Sequence, residues 1–237
     1  MSPDETQDFH KLSVIVPVFD ERNTVVEIVR RMRAVDLPVD LEVVIVDDGS
    51  TDGTRDVLRQ LTDSTVRVIT HDANRGKGAA IRSGLAHVTG DLVLVQDADL
   101  EYDPEDWPKL LGPMLRGKAR VVYGSRFTGE RRNMLFLHWV GNRFLSLVTN
   151  VLYNTTLSDM ETCYKLFDRS LLDSIPLRAH RFEFEPEVTA KVLRRGIRIY
   201  EVPISYTGRE FDEGKKITWR DGFKAVEALV RFRFLDR

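Results

Sequence analysis

Short apolar runs alternate with helical stretches along the first half of this chain. Four runs rich in Val, Ile and Leu predict β-strands at residues 12–18, 41–46, 66–70 and 92–95. The segments between them predict helices at residues 21–34, 51–61 and 76–88. Because the strand runs are continuous rather than alternating, both faces of each strand should be buried. That pattern is typical of a mostly parallel sheet flanked by helices, and it predicts an α/β fold.

The second half of the chain is less regular but continues the same theme. Strands are expected at residues 121–123 and 197–206, and helices at residues 134–153, 184–195 and 219–234. The chain has no internal repeat, low-complexity tract or obvious linker. We therefore expect residues 11–237 to form a single domain, preceded by a polar, flexible N-terminus at residues 1–10.

The modest net charge of −2 hides an asymmetry between the halves of the 237-residue chain. Residues 1–110 hold 12 Lys/Arg against 22 Asp/Glu, whereas the remainder holds 23 against 15. An acidic first half suits cation binding and a basic second half suits an anionic partner, although two solvated faces would give the same balance. The single cysteine, Cys163, excludes a disulfide framework and favours a reducing compartment.

Acidic side chains collect where the predicted strands end. Asp97 and Asp99 follow the fourth strand, and acidic turns follow the first two strands at residues 17–21 and 47–52. The carboxyl ends of parallel strands meet at one edge of the sheet, which is where ligands bind in such folds. Two carboxylates one residue apart suit Mg²⁺ or Mn²⁺ together with a diphosphate. An acidic turn alone would be a weak signal, and its position at the strand ends strengthens it.

Two glycine-containing turns add candidate ligand contacts. Residues 47–53 read Asp-Asp-Gly-Ser-Thr-Asp-Gly. Their carboxylates can accept hydrogen bonds from a base or a ribose, and the glycines allow a ligand to approach closely. The same turn can also cap the following helix. Residues 74–78 read Asn-Arg-Gly-Lys-Gly, which lacks the spacing of a P-loop. Arg75 or Lys77 in that turn could meet a phosphate or a structural carboxylate, and the two readings stay open.

Five motifs occur in order along the chain. They are Val-Pro-Val-Phe-Asp-Glu at 16–21, Asp-Asp-Gly-Ser-Thr-Asp-Gly-Thr at 47–54, Asn-Arg-Gly-Lys-Gly at 74–78, Asp-Ala-Asp at 97–99 and Gly-Ser-Arg at 124–126. Together they resemble a family 2 glycosyltransferase of the Rossmann-like GT-A fold, in the dolichol- or polyprenyl-phosphate mannose synthase-like group. The resemblance extends from about residue 12 to residue 216. It divides the domain into a nucleotide-sugar half, residues 11–125, and an acceptor half, residues 126–237.

The resemblance implies roles for individual residues. Around the base and ribose it places Pro17, Phe19, Glu21, Asp48 and Lys77. On the diphosphate and the metal it places Asp97, Ala98 and Asp99, with Asp97 and Asp99 as metal ligands and Glu101 as an uncertain third ligand. On the acceptor side it places Ser125, Arg126 and Arg143, and it makes Arg209, Lys215 and Lys216 a mobile basic loop over the diphosphate. The residues expected to carry catalysis are Asp99 and Arg126. Residues 159–167 resemble a further family segment, with Cys163 at a position where Gly or Ser is common.

The basic residues of the second half favour a phosphate acceptor, and the set comprises Arg126, Arg131, Arg132, Arg209, Lys215 and Lys216. A solvated surface charge is the competing interpretation of Arg131 or Arg132 taken alone. A phosphate monoester has a second pKa of about 6, so it is already an anion at neutral pH and needs no general base. A hydroxyl acceptor must lose its proton and therefore requires a general base. The resemblance thus implies inverting transfer of mannose or glucose from GDP-mannose or UDP-glucose to a polyprenyl phosphate, with Mg²⁺ or Mn²⁺ as cofactor and no nucleic-acid partner. A soluble saccharide or protein acceptor is the alternative, and a non-enzymatic nucleotide-sugar-binding protein is a second one.

The apolar stretch at residues 134–153 favours a membrane surface as a further partner. Scattered polar residues and flanking arginines are typical of a helix lying in the lipid interface, with a core-facing helix as the competing interpretation. The helix at residues 219–234 fits either interpretation equally. No uninterrupted apolar stretch is long enough to cross a bilayer, and the N-terminus lacks the apolar region of a signal peptide. We therefore expect a cytoplasmic protein that is peripheral on the cytoplasmic membrane face.

Overall fold

A computed structural model gives the fold, and it describes residues 9–61, 63–209 and 219–235. The expected flexible N-terminus lies largely outside these residues, as do Lys215 and Lys216. The strands are β1 (Lys11–Val18), β2 (Asp40–Asp47), β3 (Val66–Thr70), β4 (Leu92–Val95), β5 (Val121–Ser125), β6 (Lys165–Asp168) and β7 (Tyr200–Pro203). The helices are α1 (Val25–Ala34), α2 (Thr54–Arg59), α3 (Lys77–Leu85), α4 (Trp107–Leu115), α5 (Phe136–Tyr153), α6 (Arg169–Asp173), α7 (Phe184–Arg194) and α8 (Trp219–Phe234), with a 3₁₀ turn at Pro104–Asp106.

The described strands form one sheet in the order β3-β2-β1-β4-β6-β5-β7. Strand β1 runs parallel to both β2 and β4, and β2 runs parallel to β3. The buried Val, Ile and Leu side chains of β1, β2 and β4 lie in one hydrophobic core with those of the helices. The expectation that both faces of every strand are buried is wrong for β3, which lies at the edge of the sheet and has no buried residue. The register pairs Val18 with Asp47 and Ile15 with Val95, so the three strands end at one edge. The expected α/β fold is confirmed, and the acidic turns lie together as the strand ends predicted.

The second half of the sheet contains an element that the sequence pattern did not predict. Strand β6 is inserted between β4 and β5 and runs antiparallel to both, so the sheet is mostly but not wholly parallel. Helix α4 was also missed, because Pro108 and Pro113 interrupt its pattern. Its Trp107 is fully buried and donates from Nε1 to Oε1 of Gln96, directly beside the Asp97 turn. Strand β7 is shorter than the expected 197–206.

Helix α5 is turned so that its polar residues face the protein. Ser146 and Thr149 are its buried residues, whereas Phe136, Leu137, Val140, Phe144, Leu147 and Val151 are exposed. Exposure reaches 79% at Leu137 and 75% at Val151, and the spacing of three and four places these side chains on one face. A soluble core-facing helix would have the opposite pattern, so the core-facing interpretation of this segment is wrong. Among the described helices, none has the length and hydropathy required to span a bilayer.

Candidate active site

The turn after β1 is tied to the turn after β2. The backbone N–H of Glu21 donates to Oγ1 of Thr54 at 3.0 Å, and the N–H of Asp20 donates to Oγ of Ser50 at 3.0 Å. Asp20 itself adopts a left-handed conformation with φ of 53°. These two hydrogen bonds hold the turn at the sheet edge, where the Glu21 carboxylate contacts Arg209. Pro17 lies in β1 beside it, and Phe19 follows the strand.

Asp48 is buried and holds the neighbouring glycine turn. Its carboxylate accepts from the N–H groups of Arg75 at 2.9 Å and Gly76 at 2.7 Å, and Oδ1 lies 2.7 Å from Nδ1 of His71. Gly76 has φ of 93°, and a Cβ there would lie 2.4 Å from the carbonyl oxygen of His180. These contacts give Asp48 an evident structural function. Its expected contact with the nucleoside stays a prediction.

Asp99 lies in a cluster of carboxylates bridged by one arginine. Nη2 of Arg209 is 2.9 Å from Oε1 of Glu21 and 3.0 Å from Oδ2 of Asp99, and the Arg209 N–H donates to Glu101 at 2.8 Å. Burial raises the pKa of Asp99 to about 7, and the charges of Asp97 and Glu101 add to that effect. The sequence resemblance placed Arg209 near the diphosphate, and the structure brings it to the acidic residues of the same site.

Lys77 links the acidic pair to helix α7. Its Nζ lies 2.8 Å from Oδ1 of Asp97 and 3.0 Å from Oε1 of Glu185. Burial opposes the charged amine, but the negative charges of Asp97 and Glu185 outweigh it and raise the pKa of Lys77. Lys77 therefore lies beside Asp97, an expected metal ligand, and its expected contact with the base or ribose stays a prediction. Ala98, between the two aspartates, is buried.

The sheet edge that carries the turns at residues 17–21, 47–52 and 97–99 is called the donor edge below. It offers carboxylate oxygens as ligands for a divalent cation. Among the described residues, no group of three or more His, Cys, Asp or Glu side chains is arranged to hold a metal ion by itself. Asp97 and Asp99 supply two carboxylates, and their side chains keep 23% and 20% exposure. Mg²⁺ is commonly held by one or two carboxylates with the remaining positions taken by phosphate oxygens and water. The residues present therefore fit a cation that binds together with a diphosphate.

Arg126 anchors the opposite side of the site. Its guanidinium forms a bidentate pair with Asp159, with Nε and Nη2 each 2.7 Å from a carboxylate oxygen, and Nη2 also donates to Asn142 of α5 at 3.1 Å. Both members of the pair are buried. Beside it, Oγ of Ser125 lies 2.6 Å from Oγ of Ser158. This geometry fixes the Arg126 side chain rigidly at the end of β5.

Three arginines surround the ring of Phe127. The guanidinium carbons of Arg126, Arg131 and Arg143 lie 5.9, 5.6 and 5.5 Å from its centroid. Arg131 and Arg143 are exposed, so this arginine cluster presents positive charge to solvent. Sequence reasoning proposed Arg126 and Arg143 for the acceptor and gave Arg131 little weight. The doublet at residues 131–132 soon after the Gly-Ser-Arg motif was the available signal.

Tyr206 joins the two charged groups of the site. Its hydroxyl donates to Oε2 of Glu101 at 2.7 Å, and its ring lies 5.3 Å from the guanidinium carbon of Arg126. Because Tyr206 contacts both Glu101 and Arg126, the carboxylate cluster and the arginine cluster are separated by about the length of one tyrosine side chain. Sequence reasoning missed Tyr206, which lies at the end of the expected last strand.

A row of charged side chains runs between Lys77 and Arg126, and its members are buried except for Glu161, which is half-buried. The row comprises Glu185, Lys165, Glu161 and Asp159. Burial raises the pKa of Glu161 to about 8, with Glu185 adding to the shift and Lys165 and Arg126 opposing it. Burial lowers the pKa of Lys165, whose Nζ donates to the carbonyls of Met160 and Thr162. The segment at residues 159–167 had been noted as a motif, but Glu185 was missed because it sits in an ordinary helical pattern.

Comparison with known sequences places the chain in a family. A sequence model of Glycosyl transferase family 2 matches residues 13–175. The chain is also similar to an undecaprenyl-phosphate 4-deoxy-4-formamido-L-arabinose transferase of Enterobacter sp. (strain 638), at 30% identity over 219 residues. That match covers 89% of this chain and 64% of the relative, so the chain spans just under two thirds of the relative's length.

Solved structures share the fold. A glucosyl-3-phosphoglycerate synthase from Mycobacterium tuberculosis, in complex with Mn²⁺, UDP and glucosyl-3-phosphoglycerate, superposes with a TM-score of 0.72 at 23% identity, covering 94% of this chain and 80% of that one. A mannosyl-3-phosphoglycerate synthase from Rubrobacter xylanophilus gives a TM-score of 0.73 at 23% identity, covering 94% and 72%. The sheet is thus that of GT-A glycosyltransferases. With the acidic strand-end turns and the family match over most of its length, the chain belongs to glycosyl transferase family 2.

Proposed function

We propose that this protein transfers a hexose, mannose or glucose, from GDP-mannose or UDP-glucose to a polyprenyl phosphate with inversion at the anomeric carbon. The observation that carries the proposal is the contact of Tyr206 with both Glu101 and Arg126. It sets a carboxylate cluster suited to a metal-bound diphosphate opposite an arginine cluster suited to a second phosphate. A site that can bind a diphosphate through a metal at one end and a phosphate through arginines at the other fits a reaction in which the diphosphate leaves and the phosphate attacks.

The residues of the chain would divide the work between these ends. A phosphate oxygen of the acceptor forms the new bond to the anomeric carbon while the bond from that carbon to the diphosphate oxygen breaks. The acceptor phosphate is already anionic at neutral pH and needs no general base, so Arg126, Arg131 and Arg143 serve to position it. Lys77 and Arg209 offset charge on the departing diphosphate. A bound Mg²⁺ or Mn²⁺ would be held by Asp97 and Asp99 and would stabilise that leaving group.

The exposed face of α5 supports a membrane as the surface on which the acceptor is met. On its inner side, Asn142 accepts from Arg126 and Arg143 donates to the carbonyl of Ser158 at 3.2 Å. On its outer side lie the exposed apolar residues, so one helix joins the arginine cluster to an exposed apolar surface. A polyprenyl chain is buried in lipid while its phosphate lies at the interface. We infer a peripheral position on the cytoplasmic membrane face, with α5 in the interface.

The name of the Enterobacter relative includes an undecaprenyl phosphate, which is an acceptor of the proposed class. A soluble saccharide or protein acceptor is the competing function, and it would require a general base for the hydroxyl proton. Incubation of the protein with labelled GDP-mannose or UDP-glucose, Mn²⁺ and polyprenyl phosphate separates the two. We expect the label to become extractable into organic solvent. Hydrolysis of the donor without extractable label would exclude the lipid acceptor.

A further inference from the structure

The charged row between Lys77 and Arg126, together with the neighbouring Thr162, contains side-chain oxygens without a hydrogen-bond partner among the described residues. Within the described part of the chain, the buried side-chain oxygens without a hydrogen bond are Oε1 of Glu161, Oγ1 of Thr162 and Oε2 of Glu185. Thr162 is fully buried and Glu185 is 4% exposed. An unsatisfied buried polar atom destabilises the fold, so proteins rarely keep several of them without water or a ligand to satisfy them.

These residues come from two parts of the chain: Glu161 and Thr162 precede β6, and Glu185 lies at the start of α7. Oε1 of Glu185 is held 3.0 Å from Lys77, which contacts Asp97, and its second oxygen is the one without a partner. At the other end, Glu161 and Thr162 follow Asp159, which pairs with Arg126. Lys165 lies between the ends, where it donates to the carbonyl of Thr162 and interacts electrostatically with both Glu161 and Glu185. The three open oxygens are therefore positioned between the diphosphate end and the acceptor end.

We propose that Glu161, Thr162 and Glu185 form the subsite that binds the hydroxyls of the transferred sugar, an inference that rests on the proposed function. A sugar that is displaced from a diphosphate by a phosphate must lie between these two groups. Its hydroxyls are hydrogen-bond donors, and the two carboxylate oxygens and the threonine hydroxyl can accept from them. A site built to pair with hydroxyls discriminates strongly against analogues that lack them, because its own buried groups are then left unpaired.

The charge of the subsite also limits the class of sugar. Glu185 and Asp159 face it as carboxylates that are already paired with Lys77 and Arg126. Glu161 keeps its proton up to a pKa of about 8, and Lys165 is engaged by backbone carbonyls, so no unpaired cation among these residues is available for a further carboxylate. A sugar bearing a carboxylate would bring a further negative charge into this buried, acidic surrounding. The subsite is consequently suited to a neutral, hydroxylated hexose and unsuited to a uronic acid.

Binding without an acceptor tests the assignment. Titration calorimetry with Mn²⁺ compares UDP with UDP-glucose, GDP with GDP-mannose, and UDP with UDP-glucuronate. In the wild type we expect the matching neutral nucleotide sugar to bind more tightly than its diphosphate, and UDP-glucuronate to gain nothing. Glu161→Ala and Thr162→Val, which each remove the accepting oxygen, should each remove about tenfold of the sugar's contribution and leave the affinity for the diphosphate within about twofold. Thr162→Ser, which keeps the hydroxyl, should restore the gain.

Glu187→Gln is the matched control on α7. The Glu187 carboxylate is buried but fully engaged by the N–H groups of Arg178 and Ala179 and by Lys191, so it should not alter the preference for the nucleotide sugar. Unchanged nucleotide-sugar affinity in the Glu161 and Thr162 variants would overturn the subsite, as would an equal loss for the diphosphate. If the wild type binds neither the diphosphates nor the nucleotide sugars, the proposed function itself fails, which is a different result.

Discussion

At the donor edge, carboxylates sit on turns that the sheet and its backbone hold in place, whereas at the acceptor face arginines are held by side-chain partners on separate elements. Asp48 is fixed by N–H groups and Glu21 by its turn, and both are buried. Arg131 and Arg143 are exposed and pack on Phe127 beside an outward apolar helix. The donor edge is thus a preorganised site for a compact, highly charged ligand. The arginine-bearing face is an open surface, and under the proposed function it receives a phosphate that arrives on a lipid.

The largest effect should come from the acidic pair. Asp99→Ala removes a carboxylate that we propose holds the cation on the diphosphate, so transfer should fall by at least about 10²–10³-fold. The measurement is the rate of label transfer from nucleotide sugar to polyprenyl phosphate. Asp56→Ala, an exposed carboxylate on α2 that pairs with Arg59, is the control and should retain activity. Retained turnover in Asp99→Ala would refute the assignment of the donor edge.

Arg126 should contribute to the stability of the fold through its buried pair with Asp159. Arg126→Met leaves Asp159 buried without its partner, which should lower the free energy of unfolding by about 3–5 kcal/mol in urea denaturation. Adding Asp159→Asn should recover much of that loss, because the unpaired charge is then gone. The exposed pair of Arg59 and Asp56 provides the comparison, and Arg59→Met should change stability little. Equal stability of the wild type and Arg126→Met would contradict the pairing.

Substitutions on the exposed apolar face of α5 test whether this side of the protein contacts lipid. Phe144→Glu with Leu147→Glu places two charges on the exposed apolar surface, and burial of each side chain in lipid is worth about 1.5–3 kcal/mol. We expect at least about tenfold weaker sedimentation with vesicles that contain anionic lipid. Val26→Glu, an exposed apolar position on α1, should bind as the wild type does. A wild-type dimer that these charges dissociate, without any vesicle binding, would assign the face to a second copy of the chain.

The exposed arginines should affect acceptor and donor differently. Arg131→Gln with Arg143→Gln removes two charges from the cluster around Phe127, so the KM for polyprenyl phosphate should rise by about tenfold. The KM for the nucleotide sugar should stay within about twofold, and the difference between variant and wild type should shrink at high salt. Arg30→Gln on α1 serves as the control for loss of an exposed arginine. An equal rise in both KM values would remove the distinction between the two regions.

The smallest effect concerns stability and pH. The folded protein holds a proton on Glu161 up to a pKa of about 8, above the ordinary value of 4.5. Between those pH values the unfolded chain has released that proton, so the free energy of unfolding should fall as pH rises through this window. Glu161→Gln should remove this contribution and be more stable than the wild type by at least about 1 kcal/mol at pH 8, with little difference at pH 4. Parallel pH profiles in urea denaturation would contradict it.

Much of the donor edge could be predicted because its signal is local. Continuous Val and Ile runs marked β1, β2 and β4, and the acidic turns fall directly after them, so strand direction alone brings them together. Strand β6 and helix α4 escaped the same approach. A four-residue antiparallel strand has little pattern of its own, and two prolines obscure the helix.

The sequence by itself determined the fold class, the acidic edge and the arginine-rich second half, since these depend on hydrophobic periodicity and on residues close together in the chain. Only the tertiary structure decided that Tyr206 spans from Glu101 to Arg126, and that Glu185 of α7 lies beside Lys77 of α3. It also decided that the apolar residues of α5 face outward. Such contacts join positions far apart in sequence, and their partners are selected by packing and by the cost of burying unpaired charge.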